Sequence, residues 1–149
     1  MHEELTKPGL EVSIVNDLGE IERLHEIVEQ FTNEHELAPK LTFSIVLVLE
    51  ELLVNTINYG YASDEERRIV LRFWFADGWV TIQVDDDAQA FDPLARDTAP
   101  QLGQSVEERQ VGGVGIHLVK TMMDDVAYCR EGDRNVLTLK KKVAEQQDR

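Results

Sequence analysis

The chain has 149 residues, 42% of them apolar, which is enough to build one sizeable hydrophobic core in a single domain. Its formal net charge of −14 would repel a nucleic-acid phosphate backbone, so direct binding of DNA or RNA is not expected. The N-terminal segment lacks the basic start and apolar core of a signal peptide, and no uninterrupted apolar run reaches the length of a membrane span. We therefore expect a cytoplasmic protein that does not enter a membrane.

The single cysteine and the four histidines give no sign of special chemistry. Cys129 is the sole cysteine, so neither an intramolecular disulfide nor a cluster of thiolate ligands can be assembled from this sequence. Nothing in the sequence places a base beside it, and we expect a small buried thiol. The four histidines are expected at structural positions on the surface or on helix faces.

The first part of the chain predicts one strand and two helices. Alternating apolar residues at 10–15 are typical of a half-buried strand. A spacing like that of a capping box at 17–20 starts a helix whose apolar residues recur on one face to about His35. A second helix is expected to begin near Leu41, and between 45 and 54 it is so apolar that most of its circumference should be buried.

The rest of the chain predicts strands, a long irregular segment and a third helix. β-branched and aromatic residues on both sides of a turn at Asp77 and Gly78 indicate a β-hairpin. The segment of about 86–113 has no sustained periodicity and is longer than ordinary connections, so we interpret it as a lid over a site. A helix to about Asp124 and two further strands should follow, and the polar tail 144–149 is expected to fray.

This order of elements predicts an α+β fold for a single domain that covers residues 1–149. A strand, two helices, a hairpin, a lid, a third helix and two final strands favour a mostly antiparallel sheet with the helices on one face. Such an arrangement is a two-layer α/β sandwich. The sequence contains no internal repeat and no low-complexity segment.

Polar side chains follow one stripe of the apolar second helix. Glu51 and Asn55 are four residues apart and Asn58 follows three residues later, so all three project from the same face. A buried carboxylate and two amides need hydrogen-bond partners, because each unsatisfied neutral group costs roughly 1–3 kcal/mol. A bound ligand would supply these partners, and the alternative is an ordinary solvated face.

Further motifs are compatible with a nucleotide. At the end of the hairpin, the three acids at 85–87 precede small residues that let a flat ring approach, and one of their carboxylates can accept a hydrogen bond from the exocyclic amine of adenine. Glycines at 112–115 lie before the third helix, where backbone amides and the helix N-terminus favour a phosphate and Arg109 adds a positive charge. The alternatives are an acidic turn and a generic glycine loop.

The order and separation of these motifs resemble the GHKL ATPases, which have the Bergerat fold. Within them, the chain is similar to the serine protein kinases that act as bacterial anti-sigma factors. The segment 51–61 resembles the N box of that branch, 86–91 its G1 box, and 113–116 its G2 box at the end of the lid. The resemblance covers roughly residues 10–143 and implies a histidine-kinase-like ATPase fold with an ATP lid.

The resemblance also implies roles for individual residues. Glu51 is the presumed general base and Asn55 the magnesium ligand, while Glu50 is a rival base that lies off the stripe of Asn55. Asp86 is implied to read adenine. The other residues that the resemblance assigns to nucleotide binding are Asn58, Tyr59, Ala88, Ala90, Arg109, Gly112, Gly113, Gly115, Ile116 and Asn135.

This sequence departs from the family pattern in two places. Ala88 and Ala90 stand where glycines are common in the first acidic box, and alanine is the smallest replacement available. Asn135 stands where a threonine often precedes the final strand, and its side chain can still hydrogen-bond to Asp86 or to an ordered water. We therefore expect the adenine slot to survive, with a changed affinity or lid mobility.

The resemblance implies a kinase that uses ATP and Mg²⁺ in a partner-switching pathway. Such a kinase phosphorylates a serine of a STAS-type anti-sigma-factor antagonist, binds a sigma factor, and commonly forms a homodimer.

Three alternatives stay open. One is the catalytic domain of a histidine kinase, although no histidine here lies in a dimerisation-helix context. Another is a switch that binds ATP and a STAS protein without sigma-factor control, and the third is a binding module that has lost its nucleotide affinity.

Overall fold

The computed structural model describes residues 7–61, 63, 65–90 and 114–143, with side chains from residue 117 onward in the last range. Strand β1 and a short 3-10 turn (Leu18–Glu20) lead into two helices, a hairpin, a third helix and a final pair of strands. The bounds are β1 Leu10–Val15, α1 Ile21–Glu34, α2 Pro39–Tyr59, β2 Arg68–Ala76, β3 Trp79–Asp86, α3 Val114–Met122, β4 Asp125–Glu131 and β5 Arg134–Lys142.

Within these described ranges the strands form one five-stranded sheet in the order β1-β2-β3-β5-β4, and every neighbouring pair is antiparallel. The register aligns apolar side chains in rows across the sheet. One such row consists of Val12, Leu71, Val84, Leu137 and Tyr128. Because residues in register share a face, the sheet has one apolar side, and this side carries the helices. The predicted α+β sandwich with a mostly antiparallel sheet is confirmed.

The core lies between that face and the helices. The ring of Phe31 on α1 lies 5.1 Å from the ring of Phe73 on β2, and both side chains are fully buried. Helix α2 contacts both α1 and α3. Its buried side chains recur at helical spacing and are Ile45, Val48, Leu49, Leu52 and Leu53. The stretch between 45 and 54 therefore buries one face completely, and the other residues there are only partly exposed, so the prediction that most of its circumference is buried is confirmed.

Helix α2 differs from its prediction in two respects. It begins at Pro39 rather than near Leu41, because proline is well suited to the first helical position, where no backbone donor is needed. By length and composition alone it is apolar enough to cross a membrane. The buried core helix of a soluble protein has the same properties, and α2 contributes its buried face to the core cluster.

Local details correct two further expectations. The capping box is not closed, because Glu20 accepts the backbone N–H of Val15 at 2.8 Å while the side chain of Asp17 accepts that of Gly19 at 3.3 Å. Cys129 is exposed, since it points away from the apolar face of β4. The hairpin turn agrees with its prediction, with positive φ angles of 57° and 81° at residues 77 and 78.

The aromatic contact between α1 and β2 predicts a difference between two helical phenylalanines. Phe31→Ala should lower the free energy of unfolding by about 3–5 kcal/mol, because it leaves a cavity beside Phe73. Phe43→Ala on α2 is the matched control; its side chain is 65% exposed, so its effect should stay within about 0.5 kcal/mol. Urea denaturation of both variants measures the difference, and equal losses would contradict this core.

Candidate functional site

The C-terminal end of α2 lies against the turn that follows β3. The backbone N–H of Gln89 donates to the carbonyl oxygen of Gly60 at 2.9 Å, and its side-chain amide donates to that of Tyr59 at 3.3 Å. A Cβ on Gly60 would lie only 3.0 Å from the Cβ of Ala88 and 2.7 Å from the carbonyl oxygen of Thr56. The polar helix and the acidic turn, which are separate motifs in the sequence, are therefore adjacent in the fold.

Asp86, the last residue of β3, is only 5% exposed. Its Oδ1 accepts hydrogen bonds from the backbone N–H of Ala88 and from Nδ2 of Asn135, each at 3.0 Å. In the described part of the chain, no group donates a hydrogen bond to its Oδ2. The described residues thus satisfy one carboxylate oxygen, and the other can still accept a hydrogen bond.

Asn135 connects this carboxylate to the strands beside it. Its Nδ2 also lies 3.2 Å from the carbonyl oxygen of Ala88 and 3.0 Å from that of Gln89. Its Oδ1 accepts hydrogen bonds from the hydroxyl of Tyr128 at 2.6 Å and from Nη1 of Arg130 at 3.0 Å. The expectation that the asparagine reaches the carboxylate is confirmed. Sequence reasoning missed the tyrosine and the arginine, although their two-residue spacing on β4 puts them on one face.

Burial and hydrogen bonding act in opposite directions on the pKa of Asp86. It raises the pKa of Asp86, and the hydrogen bonds from Asn135 and Ala88 oppose that rise. The neighbouring charge of Asp85 raises the pKa further, while the charge of Arg134 lowers it. The hydrogen bonds therefore favour the ionised carboxylate, which is the form that accepts a hydrogen bond from an amino group.

A tyrosine lies beside the acidic turn. The hydroxyl oxygen of Tyr61 is buried, as is Oδ1 of Asp87, and neither atom forms a hydrogen bond with any residue that the structure describes. Burial raises the pKa of Tyr61 well above its ordinary value, and the charges of Asp86 and Asp87 raise it further. The other oxygen of Asp87 accepts a hydrogen bond from Arg67 at 3.1 Å. This corner of the site therefore holds unmet polar atoms of the kind that a ligand or water can satisfy.

The polar stripe of α2 is less buried than predicted. Glu51 and Asn55 are half-buried and Asn58 is exposed, so the stripe as a whole does not require a ligand to offset desolvation. The two neighbouring glutamates differ in their contacts. Glu50 lies 3.2 Å from Nε2 of His25 on α1, whereas Glu51 forms no hydrogen bond or ion pair with any residue the structure describes.

The other predicted residues are distributed around this junction. Tyr59 is 52% exposed, Ala88 is buried, and Ala90 is exposed at the end of the described turn. Gly115 and Ile116 lie in the first turn of α3, which packs against α2. The remaining predicted residues are Arg109, Gly112 and Gly113, which lie outside the described residues, as does most of the predicted lid.

The close approach at Gly60 predicts an intolerance to any side chain. Gly60→Ala should lower the free energy of unfolding by about 1–3 kcal/mol, because backbone and a buried methyl group surround the new Cβ. Gly19→Ala is the control, since its new Cβ would meet neighbours only at ordinary contact distances of 3.5 Å or more. Urea denaturation compares the two variants, and a neutral Gly60→Ala would show that α2 and β3 do not meet as described.

The raised pKa of Asp86 predicts how stability depends on pH. Because the folded state holds this proton more tightly than the unfolded chain does, the contribution of Asp86 to stability falls as pH rises from the ordinary aspartate range through the raised value. Asp86→Asn should therefore have a higher free energy of unfolding than the wild type at neutral pH. The difference between the two proteins should disappear in acid. Urea titrations between about pH 4 and pH 8 measure this. A difference in free energy of unfolding that does not change with pH would contradict the raised pKa of Asp86.

Residues 14–141 match the model of a family described as the histidine kinase-like ATPase domain. The match runs from the end of β1 to the end of β5 and covers most of the chain. It includes both the polar stripe of α2 and the buried carboxylate of β3.

Similar proteins include named kinases. Serine-protein kinase RsbW of Listeria innocua is 28% identical over 96 residues, which cover 62% of this chain and 61% of that protein. Serine/threonine-protein kinase BtrW of Bordetella bronchiseptica is 28% identical over 100 residues, covering 67% of this chain and 70% of that protein. The chain thus spans about three fifths of the length of its Listeria relative. The predicted resemblance to a serine protein kinase branch is confirmed.

A solved structure supports the same fold. The histidine kinase AdeS of Acinetobacter baumannii superposes with a TM-score of 0.51 at 15% identity, over 90% of this chain and 68% of that one. At this identity the similarity shows the fold alone, and it agrees with the predicted Bergerat-type sandwich. Because the family model covers most of the sequence and the architecture agrees with it, this chain belongs to the histidine kinase-like ATPase domain family.

Proposed function

We propose that this chain is an ATP-dependent serine protein kinase and anti-sigma factor, which phosphorylates a STAS-type anti-sigma-factor antagonist and sequesters a sigma factor. Membership of an ATPase domain family implies the use of ATP, and relatives named as serine-protein kinases support the kinase activity. One observation carries the proposal: the end of α2, the helix of Glu51 and Asn55, is hydrogen-bonded to the turn that follows Asp86.

The adenine ring would lie beside Asp86. Its Oδ2 would accept a hydrogen bond from the exocyclic amine, and a purine with an oxygen at that position would instead place two acceptors face to face. Ala88 is buried against Gly60, and its small side chain lets the turn approach the end of α2 closely. Ala90 and Tyr59, at the exposed edge of the same junction, are assigned to the rim of the pocket, and Asn58 to its solvent side.

Asn55 fits the role of a magnesium ligand. Its side-chain amide offers an oxygen of the type that magnesium prefers, is half-buried, and forms no hydrogen bond within the described part of the chain. The described residues include no group of three or more His, Cys, Asp or Glu that could hold a metal ion. A metal that keeps few protein ligands and shares the phosphates of its substrate agrees with this. When bound, the ion would neutralise charge on the phosphate oxygens.

Glu51 would act as the general base. Its carboxylate lies one helical turn from Asn55 on the same face and is not engaged by another described residue. It can therefore accept the proton of an incoming serine hydroxyl. Glu50 is occupied by His25 on the α1 side of the helix, which favours a structural role for it.

The phosphates are assigned to the lid and to the start of α3. Arg109, Gly112 and Gly113 would bind them from the lid. Gly115 and Ile116 lie in the first helical turn of α3, where backbone N–H groups have no intrahelical acceptor and attract anions. In this proposal α2 supplies the base and the metal ligand, and the segment before α3 supplies the phosphate contacts.

We further propose a cytoplasmic homodimer that works by partner switching. The net charge of −14 disfavours direct contact with nucleic acid and favours control through proteins.

A pull-down from native cells tests the partners: recovery of both a STAS protein and a sigma factor supports the proposal. Recovery of the STAS protein alone would favour a switch without sigma-factor control, and calorimetry without heat from Mg-ATP would favour a module that has lost its nucleotide.

The assigned base gives a direct kinetic prediction. Glu51→Gln should leave the dissociation constant for Mg-ATP nearly unchanged and slow phosphate transfer to the recovered STAS protein by at least about a hundredfold. Calorimetry and transfer of labelled phosphate measure the two quantities. Glu50→Gln is the matched control on the next residue of the helix, and it should transfer phosphate at close to the wild-type rate. Wild-type transfer by Glu51→Gln would show that the base is another group.

A further inference from the structure

A row of polar side chains crosses three adjacent strands at one end of the sheet. Arg130 on β4 is the register partner of Asn135 on β5, which is in turn the partner of Asp86 on β3. The row lies on the same face as the apolar row that contains Tyr128, two residues away along β4. In this row, Asn135 lies between the edge strand β4 and the carboxylate of Asp86.

The contacts within this row determine which way the asparagine amide points. The hydroxyl of Tyr128 and Nη1 of Arg130 both donate hydrogen bonds to Oδ1 of Asn135, at 2.6 Å and 3.0 Å. With its oxygen held on the β4 side, the amide must direct Nδ2 toward Asp86. The reversed amide would place its oxygen against the acceptors that Nδ2 now meets and its NH₂ group against the guanidinium of Arg130, so these contacts would become repulsive, although the hydroxyl of Tyr128 could turn to accept.

The amide orientation decides which carboxylate oxygen is available. Nδ2 of Asn135 occupies Oδ1 of Asp86 together with the backbone N–H of Ala88, and Oδ2 receives no hydrogen bond from the described residues. Arg130 strengthens the same arrangement, because its Nη1 also donates to the carbonyl oxygen of Ala88 at 3.0 Å. A charged donor to a neutral acceptor is stronger than a neutral pair, so the turn after β3 is held to β4 as well as to β5.

We propose that Tyr128 and Arg130 are positioning residues for purine recognition, which act through Asn135 to hold Asp86 with Oδ2 directed to the amino group of the base. They do not touch the nucleotide in this account. The inference rests on the proposed binding of ATP and extends it to two residues of β4 that no motif of the sequence indicates.

The test compares two nucleotides that differ at the recognised group. Tyr128→Phe removes only the hydroxyl, and Arg130→Met removes the guanidinium while keeping an apolar stem. Calorimetry measures dissociation constants for Mg-ATP and for Mg-ITP, which carries an oxygen in place of the amino group. Each variant should bind ATP about three- to tenfold more weakly, while its affinity for ITP stays unchanged, so the preference for ATP falls.

Arg72→Met is the matched control for the loss of an arginine. Arg72 lies on the opposite face of the sheet, where it hydrogen-bonds to Glu11, Gln83 and Asp85. Its removal should leave the ratio of ATP to ITP affinity at the wild-type value even where urea denaturation shows a loss of stability. A purely structural role for Tyr128 or Arg130 would give this same result.

A double-variant cycle tests whether the effect passes through Asn135. In the background of Asn135→Leu, which removes the amide, adding Tyr128→Phe should change the ATP to ITP ratio no further. Additive losses would overturn the positioning role, and so would equal weakening of both nucleotides by Tyr128→Phe alone. If the wild type binds ATP and ITP equally, Asp86 does not read the base and the inference fails. If it binds neither, the proposed function itself fails.

Discussion

The buried carboxylate of Asp86 is the interaction on which the rest of the site depends. Removing a carboxylate from water is costly, and the hydrogen bonds from Ala88 and Asn135 offset that cost at one oxygen. The second oxygen has no protein donor among the described residues. The fold thus retains an unfavourable group at the end of a central strand, which is typical of a site that gives up stability for recognition.

The antiparallel sheet makes this arrangement possible. Since β3 and β5 are hydrogen-bonded neighbours, their register places Asn135 directly opposite Asp86, and β4 adds Arg130 on the far side. Helix α2 reaches the same end of the sheet only because Gly60 has no side chain to separate it from Ala88. The backbone contact between Gly60 and Gln89 then holds the helix and the turn together.

Helix α2 places its two neighbouring glutamates in different surroundings. Glu50 contacts His25 and so helps to join α2 to α1, whereas Glu51 on the neighbouring face has no such contact with a described residue. Asn55 lies one turn further on, toward the junction with β3. The buried face of α2 holds the helix on the core, which would give the proposed base Glu51 a fixed position.

The strands, the helices and the polar stripe of α2 could be predicted from the sequence, because helical and strand periodicity, the hairpin turn at residues 77 and 78, and the four-residue spacing of Glu51 and Asn55 are local properties. The contacts that these elements make depend on the tertiary structure. Pairing of the strands and coverage of one sheet face decide that Asn58 and Cys129 are exposed. They also decide that Tyr128 donates a hydrogen bond to Asn135. Pairing between distant strands follows from the packing of the whole core, and no local pattern specifies it.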